Sequence, residues 1–163
     1  LIKEKANIIN DKNKSSIKDP EEENRWGNNE VKIIDVRLFD KNRIEKYVYK
    51  TGEDLIIEVK YQCFGKIVEP VVGIGIFRND GISCYGTNTN IDYIHNIDLK
   101  SEGIVKCYIE NNNLLTGEYK LDVAFHTVNG FDYDYFKGVR IFRMYSDIQD
   151  IGITRLKHDW HFE

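Results

Sequence analysis

Carboxylates are the commonest groups in this sequence that could do chemistry. Asp and Glu together number 27 among 163 residues. A glycoside hydrolase needs two carboxylates facing each other across roughly 5–10 Å. Nothing in the sequence pairs two of them in that way, so a sandwich-type glycosidase stays only as an alternative.

Motifs for nucleotide and metal chemistry are absent from the sequence. Gly65-Lys66 is the only Gly-Lys pair, and Lys60 stands where a P-loop would have its first glycine. His158 and His161 lie close together but lack a third suitable ligand nearby, which makes a poor metal site. The sequence therefore predicts a domain that is not an enzyme and has no catalytic residue, metal or cofactor of its own.

Two runs predicted as neighbouring strands, 71–78 and 119–127, carry most of the candidate binding residues. Apolar residues alternate along both runs, so one set of side chains faces the core and the other set faces outward. Glycine inside a strand often marks the close approach of a ligand or of another backbone. We therefore expect a shallow trough on the outer face, with Arg140 as a further candidate for its rim. The outward set is Gly73, Gly75, Phe77, Asp122, Ala124 and His126.

A trough of this composition suits an extended glycan. Sugar rings present C–H faces to aromatic side chains and hydroxyls to Asp, Asn, Arg and His. The segment 129–135 (NGFDYDY) interleaves aromatic residues with carboxylates, so Tyr133 is a second candidate for carbohydrate binding. Two alternatives remain open: the glycines could admit a crossing loop or a subunit partner, and 129–135 could be a short edge strand.

The elements that must position these residues are short strands separated by turns. Asn79-Asp80-Gly81 is the clearest hairpin signal, and Tyr119 fits a tyrosine corner, in which a phenol hydroxyl bonds backbone a few residues upstream. The predicted fold class is all-β, an immunoglobulin-like antiparallel β-sandwich with Greek-key connections. The predicted strands are 31–39, 54–63, 71–78, 82–85, 103–110, 119–127, 138–144 and 151–157.

Composition divides the chain and limits its partners. Residues 1–25 are rich in charge of both signs and read as a flexible linker with a short helix over 2–9, and 26–163 read as the sandwich domain. The formal net charge of −4 argues against a nucleic-acid partner. Three cysteines without C-x-x-C spacing predict buried, reduced thiols.

Several segments, in their order and spacing, resemble a known family. They are Arg25-Trp26-Gly27, Thr51-Gly52-Glu53, Pro70-Val71-Val72-Gly73, Leu115-x-x-Gly117-x-Tyr119 and Gly152-x-x-x-Leu156-x-His158-x-Trp160. Over about residues 25–160 the chain is similar to the C-terminal polysaccharide-binding domain of the ATP-binding subunit of O-antigen-type ABC exporters (Wzt-like).

The resemblance implies a module that binds a finished cell-surface polysaccharide and presents it to the exporter. It also implies a homodimer with exchanged C-terminal strands, a membrane permease as partner, and a cytoplasmic location at the inner face of the membrane. ATP would bind only in an upstream ATPase domain, to which residues 1–25 would connect. Trp26 and Trp160 match family positions and are expected to pack as structural anchors. A dimerisation or docking domain without its own ligand is the alternative.

Overall fold

The structure is a computed structural model that describes residues 23–163. This part of the chain forms nine strands, most of them with alternating apolar residues. Within this range no helix is long and apolar enough to cross a membrane. The strands are β1 (Arg25–Trp26), β2 (Val31–Phe39), β3 (Val48–Lys50), β4 (Leu55–Cys63), β5 (Pro70–Arg78), β6 (Ser83–Asn88), β7 (Glu102–Ile109), β8 (Gly117–Thr127) and β9 (Asp132–Tyr145).

The strands form two sheets that pack face to face. The larger sheet has the order β1-β9-β8-β5-β6, with β3 added in parallel to β9, and the smaller sheet has the order β2-β4-β7. The chain crosses from the smaller sheet to the larger after β4, returns after β6 and crosses again after β7. This arrangement confirms the predicted all-β, immunoglobulin-like sandwich, and it makes β5 and β8 neighbours as expected.

The core lies between the two inner faces and follows the period-two patterns of the sequence. In β4, Leu55, Ile57 and Val59 are almost fully buried, whereas Lys60 is exposed on the outer face. Burial of apolar surface stabilises the fold by about 25 cal/mol per Å². The largest fully buried side chains are Tyr49, Tyr119, Phe125, Phe142, Leu38, Leu55, Ile57, Ile76 and Leu121.

The tyrosine corner predicted at Tyr119 is present. The buried Tyr119 hydroxyl donates a hydrogen bond of 2.8 Å to the carbonyl oxygen of Leu115. Its ring stacks on Phe142 with a centroid separation of 5.6 Å. The bond therefore ties the start of β8 to the connection that brings the chain back from the smaller sheet.

The prediction of a strand at 151–157 is wrong. This segment makes one isolated bridge, between Thr154 and Leu114. Two backbone hydrogen bonds flank the bridge. The N–H of Leu115 donates to the carbonyl oxygen of Ile153 at 2.8 Å, and the N–H of Arg155 donates to that of Asn113 at 2.9 Å. Beyond Arg155 the chain carries apolar side chains with no described neighbour to pair with in a ladder. Alternation in the sequence therefore does not produce a strand there.

Arg25, the last residue of the predicted linker, lies in a strand of the sandwich. Residues 1–22, and with them most of the predicted linker and its helix over 2–9, lie outside the described residues. Arg25, which the sequence analysis assigned to the linker, pairs in β1 with Phe136 of β9. Arg25 is therefore part of the folded domain.

Candidate functional site

A cavity of about 430 Å³ lies on the outer face of the larger sheet. We call it the trough. Its floor consists of Gly73 and Gly75 on β5 and Ala124 on β8, and register places Gly73 directly opposite Ala124. The volume falls within the range of about 300–1,000 Å³ that is typical of small-ligand sites.

The floor is open because its residues have little or no side chain. A Cβ built on Gly73 would lie 3.3 Å from the Cβ of Asn88 and 3.8 Å from Nε2 of His126. A Cβ on Gly75 would lie 2.9 Å from Cε2 of Phe77, whose ring therefore folds back over this glycine. Larger residues at either position would fill the space that a ligand could use.

One wall of the trough is aromatic. Tyr135 on β9 lies opposite Ala124, and Trp26 on β1 is next in the same row across the sheet. The two rings stack with centroids 4.3 Å apart and planes within 7°. The indole Nε1 of Trp26 donates a 2.8 Å hydrogen bond to Oδ2 of Asp132. The stack and this bond fix both rings.

The opposite wall comes from β6 and the loop that follows it. Tyr85 lies there with about half of its side chain exposed. Asn88 opposes Gly73, and its Oδ1 accepts a hydrogen bond of 2.8 Å from the backbone N–H of Ile91. This bond holds Ile91 at the edge of the trough, where it contributes an apolar contact surface.

Asp122 lines the trough but is hydrogen-bonded within the protein. It is buried, its Oδ2 accepts a 2.8 Å bond from the Tyr135 hydroxyl, and its Oδ1 accepts a 2.7 Å bond from the N–H of Gly138. Burial and the Asp122 carboxylate raise the pKa of Tyr135, which keeps the phenol protonated and donating. Asp122 thus positions the aromatic wall, rather than offering a free carboxylate to a ligand.

His126 and Asp132 each present to the trough a hydrogen-bond acceptor that the protein itself does not use. Nδ1 of His126 lies 2.8 Å from the carbonyl oxygen of Thr127, so the proton of the neutral ring is best placed on Nδ1. Nε2 then remains as an acceptor facing Gly73. Asp132 uses Oδ2 to hold Trp26, which leaves Oδ1 available to accept from a ligand.

A buried ion pair anchors β1 and therefore Trp26. Asp134 is fully buried, and its two oxygens accept hydrogen bonds of 2.9 and 2.6 Å from the guanidinium of Arg25 and one of 2.6 Å from the N–H of Ile33. Next along the chain, a Cβ on Gly27 would lie 2.3 Å from the carbonyl oxygen of Tyr133, and Gly27 has φ +139°. Only glycine fits there, since both the space and the backbone angle exclude a side chain.

Tyr133, predicted as a second candidate for carbohydrate binding, is buried and lies outside the trough, so its side chain is not accessible to a glycan. Its side chain belongs to the core, and its hydroxyl bonds both the N–H and the carbonyl oxygen of Val68 at 2.9 Å. The cause is a bulge. Phe125 pairs with Asp134 but His126 pairs with Asp132, so Tyr133 is the extra residue and its side chain turns inward.

Arg140 is also absent from the trough, for a related reason. A second register shift in β9 places Arg140 opposite the core residue Leu121, whereas Val123 lies opposite Phe136. Arg140 therefore points toward the smaller sheet and pairs with Asp35 at 2.8 Å. Burial opposes ionisation of Asp35, but the hydrogen bond from Arg37 and the charge of Arg140 hold its pKa below the usual value.

The structure brings the other six predicted residues together around one cavity. The sequence analysis missed part of the lining, namely Trp26 beside it and Tyr85, Asn88 and Ile91 within it. Asp132 and Tyr135, which also line it, lie in the candidate segment 129–135. A signal for β6 was present, because the Asn79-Asp80-Gly81 turn places that strand beside β5. No comparable signal exists for Trp26, whose partner on β9 is more than 100 residues away.

Metal ligands and reactive thiols do not add to this site. Within residues 23–163 no group of three His, Cys, Asp or Glu side chains could hold a metal ion. Cys63, Cys84 and Cys107 are free and half-buried, and burial raises the pKa of each thiol.

Comparison with known proteins decides the family. Residues 22–156 match the family model described as the Wzt C-terminal domain. The chain belongs to this family. The resemblance carried by the sequence motifs is therefore confirmed, and the chain contains a domain of the kind found in an ABC transporter ATPase subunit.

The fold of this Wzt C-terminal domain is also that of a solved relative. The crystal structure of the C-terminal domain of Wzt superposes with a TM-score of 0.76 at 20% sequence identity, covering 85% of this chain and 87% of that chain. No curated protein matches the chain in sequence.

The two tryptophans of the Wzt C-terminal domain differ in environment. Trp26 is packed on one face against Tyr135 but keeps 46% of its surface exposed. Trp160, which the sequence analysis expected to be a packed anchor, is 79% exposed, and its ring meets that of His158 edge-on. The anchor prediction is wrong for Trp160 within this single chain.

Proposed function

We propose that this domain is a non-catalytic carbohydrate-binding module that holds a cell-surface polysaccharide of O-antigen type in the trough and presents it to an ABC exporter. The observation that carries the proposal is the glycine and alanine floor between two walls of aromatic and hydrogen-bonding side chains. Tyr85 and Tyr135 offer ring surface for the C–H faces of sugars, and Nε2 of His126 and Oδ1 of Asp132 accept from sugar hydroxyls.

The open shape of the trough sets the expected strength of binding. A solvent-accessible site removes little water from the ligand, so each site should bind in the millimolar to high-micromolar range, about −4 to −6 kcal/mol. Weak single-site binding suits a module that must release the chain during export.

Membership in the Wzt C-terminal domain family supports the rest of this proposal. The full-length protein would bind ATP in a separate domain and would dock on a membrane permease at the cytoplasmic face. The polysaccharide would be recognised there before it crosses the membrane.

The C-terminal segment supports a homodimer. Leu156, Trp160 and Phe162 are 74%, 79% and 95% exposed, although such side chains are normally covered in a folded protein. We propose that this segment packs on a second copy of the chain by strand exchange. Two troughs on one dimer could then strengthen binding of one long glycan by about 10²-fold through avidity.

The test uses the long-chain polysaccharide extracted from the surface of the source organism, immobilised on a column. Tyr85→Ala and His126→Ala should each reduce retention of the purified chain by about tenfold or more, since each removes a contact worth at least about 1.4 kcal/mol. Melting temperatures should stay close to that of the wild type because Tyr85 is about half exposed on the edge strand β6 and His126 lies on the outer face.

Tyr108→Ala is the matched control for Tyr85→Ala. Tyr108 is a similarly exposed tyrosine, but it lies on β7 of the smaller sheet. Loss of retention in Tyr108→Ala, with Tyr85→Ala unaffected, would place the binding site on the smaller sheet and not in the trough. Wild-type protein that is not retained, but whose melting temperature rises with concentration, would favour a dimerisation domain without a ligand. Release of new reducing ends from the polysaccharide would favour a glycosidase.

A further inference from the structure

Two carboxylates and one imidazole line the trough. They belong to Asp122, Asp132 and His126, and of the lysines and arginines in residues 23–163 none lines it. Asp132 is partly exposed, and one hydrogen bond, from the Trp26 indole to its Oδ2, orients it at the cavity. The two carboxylates give the lining a negative charge.

The lysines and arginines of the larger sheet do not line the trough. The four arginines of this sheet are each paired with a carboxylate of the protein, at 2.6, 2.6, 2.8 and 3.1 Å. Lys120 of β8 lies opposite Phe77 and Lys137 is exposed on β9, but neither belongs to the lining. The arginine pairs are Arg25–Asp134, Arg78–Asp80, Arg140–Asp35 and Arg143–Glu118.

Recognition of an acidic group normally depends on cations. Phosphate and carboxylate groups are bound by bidentate arginine, by lysine or by helix N-termini, and the trough offers none of these among the described residues. A phosphate or uronate group placed in it would instead face the carboxylate of Asp132. Like charges within a few ångströms of each other repel, even where solvent partly screens them.

From this charge pattern, and resting on the proposed function, we infer that the trough selects a neutral glycan and rejects acidic ones. The substrate class is a polysaccharide whose bound units carry hydroxyl, methyl or acetamido groups but neither phosphate nor carboxylate. The floor of Gly73, Gly75 and Ala124, with the Phe77 ring beside it, provides apolar surface for methyl groups. Asp132 and His126 provide acceptors for hydroxyl and amide donors.

The test separates the extracted surface polysaccharide by anion exchange into a neutral flow-through and an acidic bound fraction, and each is immobilised on its own column. The full chain should be retained on the neutral fraction, and its retention on the acidic fraction should be at least about tenfold weaker. Retention on the neutral fraction should change little between about 50 and 500 mM NaCl, because it does not depend on charge attraction.

Asp132→Asn tests the residue that carries the charge. Asparagine keeps a side-chain oxygen to accept from the Trp26 indole, so the aromatic wall should stay in place. Retention on the acidic fraction should then rise several-fold relative to the wild type. Glu102→Gln, which removes one carboxylate from the start of β7 on the smaller sheet, is the matched control and should leave both fractions unchanged.

The outcomes separate this inference from the function on which it rests. Stronger retention on the acidic fraction that is lost in Tyr85→Ala would overturn the selection for neutral glycans while leaving the trough as the binding site. If Asp132→Asn discriminates between the neutral and acidic fractions as strongly as the wild type does, the selection for neutral glycans would also be overturned. Absence of retention on both fractions would overturn the proposed function itself.

Discussion

Two buried carboxylates on neighbouring strands hold the aromatic wall of the trough in place. Asp122 accepts from the Tyr135 hydroxyl and from the backbone of Gly138, and Asp134 accepts from Arg25 and from the backbone of Ile33. Each thereby has its acceptor capacity satisfied by donors of the protein, as buried charge requires. Their roles are structural, and they act on a ligand only through the rings that they position.

Tyr135→Phe tests the first of these roles. Removing the hydroxyl leaves Oδ2 of Asp122 buried without its donor, so the free energy of unfolding should fall by about 1–3 kcal/mol in urea titration. Tyr145→Phe, at an exposed tyrosine of the same strand, is the control and should change it by less than about 0.5 kcal/mol. Equal stability of the two variants would contradict the assigned hydrogen bond.

Tyr119→Phe tests the tyrosine corner. Loss of its bond to the Leu115 carbonyl should cost about 1–2 kcal/mol of unfolding free energy, because the ring remains but a buried acceptor loses its donor. Chemical denaturation followed by circular dichroism measures this cost. Tyr108→Phe serves as the exposed control, and a Tyr119→Phe chain as stable as that control would show that the corner contributes nothing.

At the scale of elements, β9 shows what could be predicted from the sequence and what could not. Period-two alternation placed β2, β4, β5, β7 and β8 within about a residue or two of their observed bounds, since each has one face against the core. The same rule failed at Tyr133 and Arg140, because two bulges in β9 shift which side chains face inward. Bulges depend on the pairing of strands distant in sequence, and alternation within one strand does not reveal them.

The two-residue strand β1 could not be predicted for a similar reason. Its stability depends on the Arg25 guanidinium meeting Asp134, which lies 109 positions along the chain. The trough floor, in contrast, was predictable from two adjacent strands, because glycines at alternate positions of β5 fall on one face whatever the rest of the fold does. The terminal segment 151–157 alternates too, but the described chain gives it only one bridging partner.

Arg25→Ala should release β1. The change leaves the fully buried Asp134 carboxylate without its cation, which costs about 3–5 kcal/mol when a buried pair is broken. The Trp26 ring should also leave Tyr135, and its fluorescence should shift toward the red as its exposure rises. Arg37→Ala, which breaks the more exposed pair with Asp35, should leave stability close to that of the wild type.

If Arg25→Ala proves too unstable to purify, Arg25→Lys keeps the charge but loses the paired geometry. It should be intermediate in stability. A stable Arg25→Ala chain with unchanged tryptophan emission would contradict the role assigned to β1.

At the scale of the whole molecule, burial of phenols makes the sandwich sensitive to alkali. Burial raises the pKa of Tyr47, Tyr49, Tyr61, Tyr119 and Tyr135. A group whose pKa is higher in the folded chain stabilises the fold fully below its unfolded pKa, which is about 10 for tyrosine. That contribution is lost as the pH rises through the folded value.

The contribution of the buried tyrosines to stability should therefore be constant up to about pH 9 and fall above about pH 10. Absorbance at 295 nm, followed together with circular dichroism, should show part of the ten tyrosines ionising only as the fold is lost. The urea-unfolded chain is the reference, in which all should titrate near about pH 10. Native dichroism with every tyrosine already ionised would contradict the burial that the structure shows.

The exposed C-terminal segment leads to a prediction about assembly. Deleting residues 156–163 removes Leu156, Trp160 and Phe162, so a dimer formed through them should become a monomer. Light scattering after size exclusion measures the mass at about 10–100 µM, a range in which a weak dimer would still be populated. A truncated chain with the mass of the intact one would place the dimer interface elsewhere.

The central claim, that the glycine floor of the trough receives a glycan, is tested most directly by filling it. Gly73 has no positive φ, so Gly73→Leu can project a side chain past His126 into the cavity once Asn88 shifts slightly to accept its Cβ. Lys60→Leu on the outer face of β4 is its matched control. Retention on the immobilised surface polysaccharide is the measurement. We predict that Gly73→Leu lowers retention by about tenfold or more while its circular dichroism stays native, and that Lys60→Leu is retained as the wild type is. Undiminished retention of a folded Gly73→Leu chain would contradict the claim.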